Sequence, residues 1–184
     1  MLLFSDKNEI LNRILKSYEV YYDIEKCDEK YAPLVAKAEF HVHNEKYILV
    51  KQAKMWEADS NEYVYIFNID NLSAEIFNKC KNYAYENGMS KINPKPGHMS
   101  SYITTIFICN SCDKEAQKLI KKCNLYKSFK LSLHGWMDFN TACIDISTDT
   151  IFGNKSARPT IKFLKKLFIK NTSFFKKDKK ITRI

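Results

Sequence analysis

The sequence predicts an α+β domain: a single mixed, largely antiparallel sheet with helices packed on it, in the order α-βββ-α-β-α-ββ-α. Three observations predict it. Strand signals cluster early and late, and helical periodicity fills the gaps between them. The chain has 184 residues, enough for one sizeable core. Its side chains are 45% hydrophobic, 28% charged and 14% aromatic, with only 4 Gly and 4 Pro. That composition excludes a disordered, collagenous or linker-like chain. No apolar run approaches the roughly 18 residues needed to span a bilayer.

Each element follows from local chemistry. Asp6 caps the first helix, with Glu9 completing a capping box. Ile10, Leu11, Ile14, Leu15 and Tyr18 then form one apolar stripe. Val20–Ile24 reads as a short strand or as the end of that helix. Ala38–His43 alternates apolar and polar residues as a half-buried strand does. Tyr47–Trp56 reads as a second strand and Tyr63–Phe67 as a third, with turns at Asn44-Glu45 and Asp59–Glu62. Together they make an antiparallel meander. Ser73 caps a helix running to Asn87, with Gly88 just past its end. Asn93–Gly97 is loop. Tyr102–Cys109 is β-branched and aromatic, as a central strand should be. Asp113–Cys123 reads as a short helix. Phe129–Met137 and Thr141–Ile146 read as strands flanking a turn at Asp138–Asn140, and Ile151-Phe152 extends that hairpin. Pro159 opens a last helix, where proline fits the first turn. Residues 1–157 thus form the domain and 158–184 a basic amphipathic helix and tail.

Charge is unevenly placed. The net charge is +9, but residues 155–184 carry eleven basic side chains against Asp178 alone, a net of +10. The remaining residues hold 19 basic and 20 acidic side chains. A stripe of one sign at one end points to a polyanionic partner for that end, either nucleic acid or an anionic membrane surface. The six cysteines are scattered, and the N-terminus lacks a basic segment followed by an apolar one. The sequence therefore predicts a cytoplasmic chain with reduced thiols.

Four groups of residues carry candidate chemistry. Glu39 on one strand, with Gln52 and Lys54 two residues apart on the next, places a carboxylate, a second oxygen ligand and an ammonium together. Such a set can hold Mg²⁺ or Mn²⁺ and steady a phosphate; the same residues also fit a solvated sheet face. Glu39, His41 and His43 share a strand face as transition-metal ligands would, or as an exposed edge pair. Trp56, Glu57, His98, His134, Trp136 and Asp138 lie where they would line a small-molecule pocket or form an aromatic sheet corner, and Gly135 beside Trp136 suggests close backbone approach. Cys109-Asn110-Ser111-Cys112 sits between a strand and a helix, a placement similar to that of thioredoxin-like redox motifs, though buried, unreactive thiols fit the same pattern.

At Glu39 and Gln52-Ala53-Lys54 the chain resembles the PD-(D/E)XK restriction-endonuclease-like superfamily, especially its Mrr-like members, over about residues 6–137. The order helix, three strands, helix, strand, helix, strand is also similar. The resemblance implies a metal-dependent nuclease or a nucleic-acid-associated domain of that fold. Glu39 and Gln52 would then hold the metal, and Lys54 would stabilise the charged transition state. A membrane-surface or protein-binding module and a small-molecule sensor are the rival readings.

In Thr160–Asn171, Ile161, Leu164, Leu167 and Phe168 share a face that suits docking on the sheet or a membrane. Lys170, Lys176, Lys177, Lys179, Lys180 and Arg183, interleaved with Phe174-Phe175, suit a phosphate-bearing surface. Deleting residues 171–184 is expected to remove most binding to DNA or anionic vesicles. Binding by the full chain should fall steeply with salt. A truncated chain that binds as well as the full one would refute the tail's role.

Overall fold

The computed structural model describes residues 6–41 and 59–168. The elements are α1 (Lys7–Tyr18), β1 (Asp23–Lys26), a 3₁₀ turn (Glu29–Tyr31), β2 (Leu34–His41), β3 (Asp59–Leu72), α2 (Ala74–Lys91), β4 (His98–Cys112), α3 (Lys114–Lys122), β5 (Tyr126–Ser128), β6 (Trp136–Asp145), β7 (Thr150–Gly153) and α4 (Arg158–Phe168). The strands form one mixed sheet in the order β1-β2-β3-β4-β6-β5, with β7 also paired to β6. Its edges are antiparallel and its centre, β3-β4-β6, is parallel.

Parallel neighbours cannot be joined by a tight turn, so α2 and α3 serve as crossovers. Both lie on one face of the sheet, over Tyr63, Tyr65, Phe67, Ile103, Phe107 and Phe139. Helices α1 and α4 cover the other face, over Ala36, Ala38, Val64, Ile66, Ile106, Ile108, Ala142 and Ile144. The period-2 alternation of each strand sorts its residues between these two cores. Strand β4 is sandwiched on both sides, so Ile103–Cys109 is buried without a break. Phe107 centres one core, with Phe67 stacked at 5.2 Å and Phe77 tilted against it at 5.6 Å.

The helix starts lie where the caps put them. Asp6 accepts from the Asn8 amide at 3.0 Å, while its expected capping-box partner Glu9 is exposed. Ser73 accepts from the Ile76 amide, and Asp113 is the N-cap of α3. Helix α4, expected as part of an extension, packs Leu164 and Phe168 into the core beneath it.

Several boundaries differ from the sequence reading. Strand β1 lies at 23–26, and the chain leaves α1 through a turn at residues 19–21. Asp59–Glu62, expected as a turn, is the start of β3, because its polar side chains find partners across the sheet: Ser60 with Ser100 and Asn61 with His41. Asp138–Asn140 is likewise strand, inside the continuous β6. The strand expected at Phe129–Met137 instead begins as a tight loop: Lys130, Leu131 and Ser132 have positive φ, and Leu131 and Leu133 project into solvent. Gly135, with φ +73°, closes it; a Cβ there would meet the Met99 carbonyl oxygen at 2.2 Å, the close approach expected of it. The strand expected at Tyr47–Trp56 lies outside the described residues.

Gly88 was expected to end α2, yet the helix runs on to Lys91. Gly88 is instead a packing glycine: a Cβ would stand 2.7 Å from Ile103 Cδ1 and 2.8 Å from its Cγ1. Ile103 is fully buried and cannot swing aside. Gly88→Ala is therefore expected to destabilise. Overpacking of about 1–3 kcal/mol outweighs the roughly 1 kcal/mol gained in helix propensity. Urea unfolding would show a lower midpoint at unchanged slope; an unchanged or higher midpoint would mean that Ile103 has room to yield.

Candidate functional site

On the α1/α4 side of the sheet an apolar middle, Val64, Ile66, Ile106, Ile108, Ala142 and Ile144, gives way to polar residues toward the N-terminal ends of the parallel strands. There the alternation sets Glu62 of β3, Tyr102 and Thr104 of β4 and Asn140 of β6 beside one another, with Glu62 paired to Tyr102 and Thr104 to Asn140. The end of α1, the turn after it and the first turns of α4 overhang these residues without closing over them. A cleft of about 510 Å³ remains. Its walls are Tyr18, Tyr21, Tyr22, Tyr102 and Phe163, its floor includes Glu62 and Asn140, and Ser17, Ser156 and Thr160 add hydroxyls. Tyr18, Tyr21 and Tyr22 follow one another at helical spacing, which brings three rings to one side.

The floor is a directed hydrogen-bond chain. Tyr22 Oη donates to Glu62 Oε2 and Thr104 Oγ1 donates to Glu62 Oε1, each at 2.6 Å. Thr104 has a single proton and spends it on the carboxylate, so its oxygen must accept from Asn140 Nδ2, at 3.1 Å. That fixes the Asn140 amide, leaving Oδ1 buried with no partner. Among the described residues no cation pairs with Glu62. Burial first, and the Glu62 charge second, push the Tyr18 and Tyr22 hydroxyls well above the ordinary phenol range. Both stay protonated at physiological pH, so Tyr22 keeps donating. The rings brace one another: Tyr18 lies 4.5 Å from Tyr22 and edge-on to Phe163 at 5.7 Å, and Tyr22 lies 5.3 Å from Phe40.

Gln52, Lys54, His43, Trp56, Glu57 and the tail residues Lys170, Lys176, Lys177, Lys179, Lys180 and Arg183 lie outside the described residues. Glu39 sits near the end of β2 on the opposite sheet face from Glu62, as its pairing with Tyr63 requires. The Lys91 ammonium at the end of α2 grips one carboxylate oxygen, and His41 Nε2 lies 3.4 Å from the other. Among the described residues no three His, Cys, Asp or Glu side chains converge as a metal ion needs. His98 is buried, its Nδ1 against the His134 carbonyl and its Nε2 against Ser101 Oγ, both at 2.8 Å. His134 and Trp136 follow it around the Gly135 corner, while Asp138 stands two residues before Asn140 on the same side of β6.

The thiols gather more than their spacing suggests. Cys143 joins the Cys109–Cys112 pair, its sulfur 3.6 Å from that of Cys109, and all three are buried and free. Burial, then the neighbouring sulfurs, push the Cys143 thiol well up.

Sequence reasoning missed the cleft because Glu62 and Asn140 both fall in segments that read as turns. The tyrosine triplet was the available signal.

The chain is thus a three-layer α/β/α domain with a polar-floored aromatic cleft beneath one helix layer. It belongs to the family described as "Domain of unknown function (DUF8052)", which matches residues 6–166. No curated protein and no solved structure matches the chain. Among the described residues no helix is long and apolar enough to cross a membrane.

The Glu39 site yields a pH prediction. Burial alone would raise its carboxyl, but Lys91 and then His41 hold it below the usual carboxylate range. A depressed acid stabilises the fold above its unfolded pKa, near 4.3, and loses that contribution as pH falls through the lower folded value. Glu39→Gln should therefore cost up to about 1 kcal/mol at neutral pH. The cost should shrink at an acid pH below the lowered folded pKa. Denaturant curves at the two pH values measure this; a pH-independent gap would assign the loss to packing.

Proposed function

We propose that this domain is a binding or sensing module whose ligand is a small molecule held in the cleft beneath α1 and α4. One observation carries the reading: under the cleft a connected polar chain, Tyr22–Glu62–Thr104–Asn140, runs across two adjacent levels of the sheet. A buried polar group without a partner costs free energy, and Asn140 Oδ1 has none. A carboxylate under aromatic walls with no counter-ion is likewise a poor way to stabilise a core. Apolar side chains there would pack better for stability alone. The volume fits a small molecule, and the mixture of aromatic walls with few polar groups is what orients one.

The charge separation favours a second contact. We infer that the basic tail meets a polyanion. Helix α4 buries its apolar side on the sheet and leaves Lys162, Lys165 and Lys166 exposed, in line with the positive run that follows.

Thermal unfolding in the presence of a chemically mixed panel of small molecules tests the cleft reading. A ligand at about 100 times its Kd stabilises by roughly 2.7 kcal/mol. For a domain of this size that raises Tm by several degrees. Thr160→Trp, placed on α4 at the cleft mouth, should abolish the shift while leaving the unliganded circular dichroism spectrum intact. A shift that survives Thr160→Trp would place the ligand elsewhere, and a panel without any shift would sink the reading.

A further inference from the structure

We propose that the cleft takes an organic ammonium ion bearing a flat apolar body, the ammonium on Glu62 and the body between Tyr18, Tyr22, Tyr102 and Phe163. This rests on the cleft being a binding site. Three independent properties of the lining select that class.

The first is sign. Among the described residues that line the cleft, Glu62 is the one ionisable acid or base apart from the tyrosines, with no Lys, Arg or His. A bound anion would meet an uncompensated carboxylate, whereas a cation completes it. The second is hydrogen-bond polarity. Tyr22 and Thr104 have already given their protons to Glu62, and Asn140 has given one to Thr104. What Glu62 still offers is acceptor capacity: further lone pairs on the carboxylate, which can accept about four bonds in all. A group seated on Glu62 must therefore donate, and an ammonium donates three times. The third is the wall. Tyrosine faces attract a cation within about 6 Å of the ring centroid, and they stack on a flat apolar body. A bare divalent metal lacks the further carboxylates it would need, and it would leave the aromatic walls without a role.

Three probes of one shape test the class on the full chain: 2-phenylethylammonium, 2-phenylethanol and 3-phenylpropanoate, titrated by calorimetry and by amide NMR. The ammonium is expected to bind at least about 10-fold more tightly than the alcohol, the propanoate without saturation, with shifts centred on Tyr22, Tyr102 and Asn140. Glu62→Gln should erase the preference for the cation. Because that change touches the Tyr22 and Thr104 bonds, Tyr102→Ala provides a second variant outside the hydrogen-bond chain, and it should weaken the ammonium several-fold. If the alcohol or the propanoate binds the cleft as well as the ammonium, or if Glu62→Gln keeps the preference, the ligand class is wrong and the cleft still binds. If none of the three perturbs cleft residues, both the class and the cleft reading fall.

Discussion

The buried side chain of Asn154 makes four hydrogen bonds on which the position of α4 depends. Its Nδ2 donates to the Phe139 carbonyl at 2.7 Å and the Cys123 carbonyl at 3.1 Å. Its Oδ1 accepts from the Thr141 amide at 3.1 Å and the Ala157 amide at 3.0 Å. One amide thus ties β6 to the end of α3 and to the start of α4. All four capacities of the side chain are used, the condition under which a buried polar group rigidifies rather than weakens its surroundings. From that anchor α4 runs over the sheet, and Ser156, Pro159, Thr160 and Phe163 come to stand beside the cleft. The site's outer wall is set by a residue that does not touch the ligand space.

The inner wall has a different origin. A parallel centre forces both crossovers onto one face, where α2 and α3 seal the sheet with large aromatic contacts. Among the described residues the other face receives α1 and α4, which come from opposite ends of the sequence and meet edge-on through Tyr18 and Phe163. The cleft opens beside that contact, and Glu62 and Asn140 lie under it. Charge divides in the same way. Acidic Glu62 serves the cleft, Glu39 is held by Lys91 on the far face, and the basic side chains of α4 face outward.

Much of this was legible in the sequence. The capping residues Asp6 and Ser73 announced two helices, and the apolar run of β4 announced a central strand. The errors share one cause. Asp59–Glu62 and Asp138–Asn140 have turn composition, yet both are strand, with Ser60, Asn61, Glu62 and Asn140 bonded to side chains on adjacent strands. Tertiary pairing overrode local preference. Polar residues that a sheet can hold only through cross-strand partners look like turns to any local reading, and here those same residues floor the cleft. Gly88 misled for a similar reason: a glycine late in a helix reads as a terminator until the facing Ile103 is known. The tyrosine triplet after α1 was visible, but its partner Glu62 lies some 40 residues away in sequence.

The separations along that floor also bear on kinetics. Thr104 and Glu62 are 42 residues apart, and Asn140 and Thr104 are 36 apart. Each contact closes a loop containing a whole crossover helix, and that entropy must be lost before the contact returns anything. The floor therefore exists only when both crossovers are docked and three strands are in register. No hairpin or helix pair of this chain carries a partial version of it. Occupancy of the cleft is consequently a readout of the complete native state, and a ligand there would protect amides on β3, β4 and β6 together as one cooperative unit.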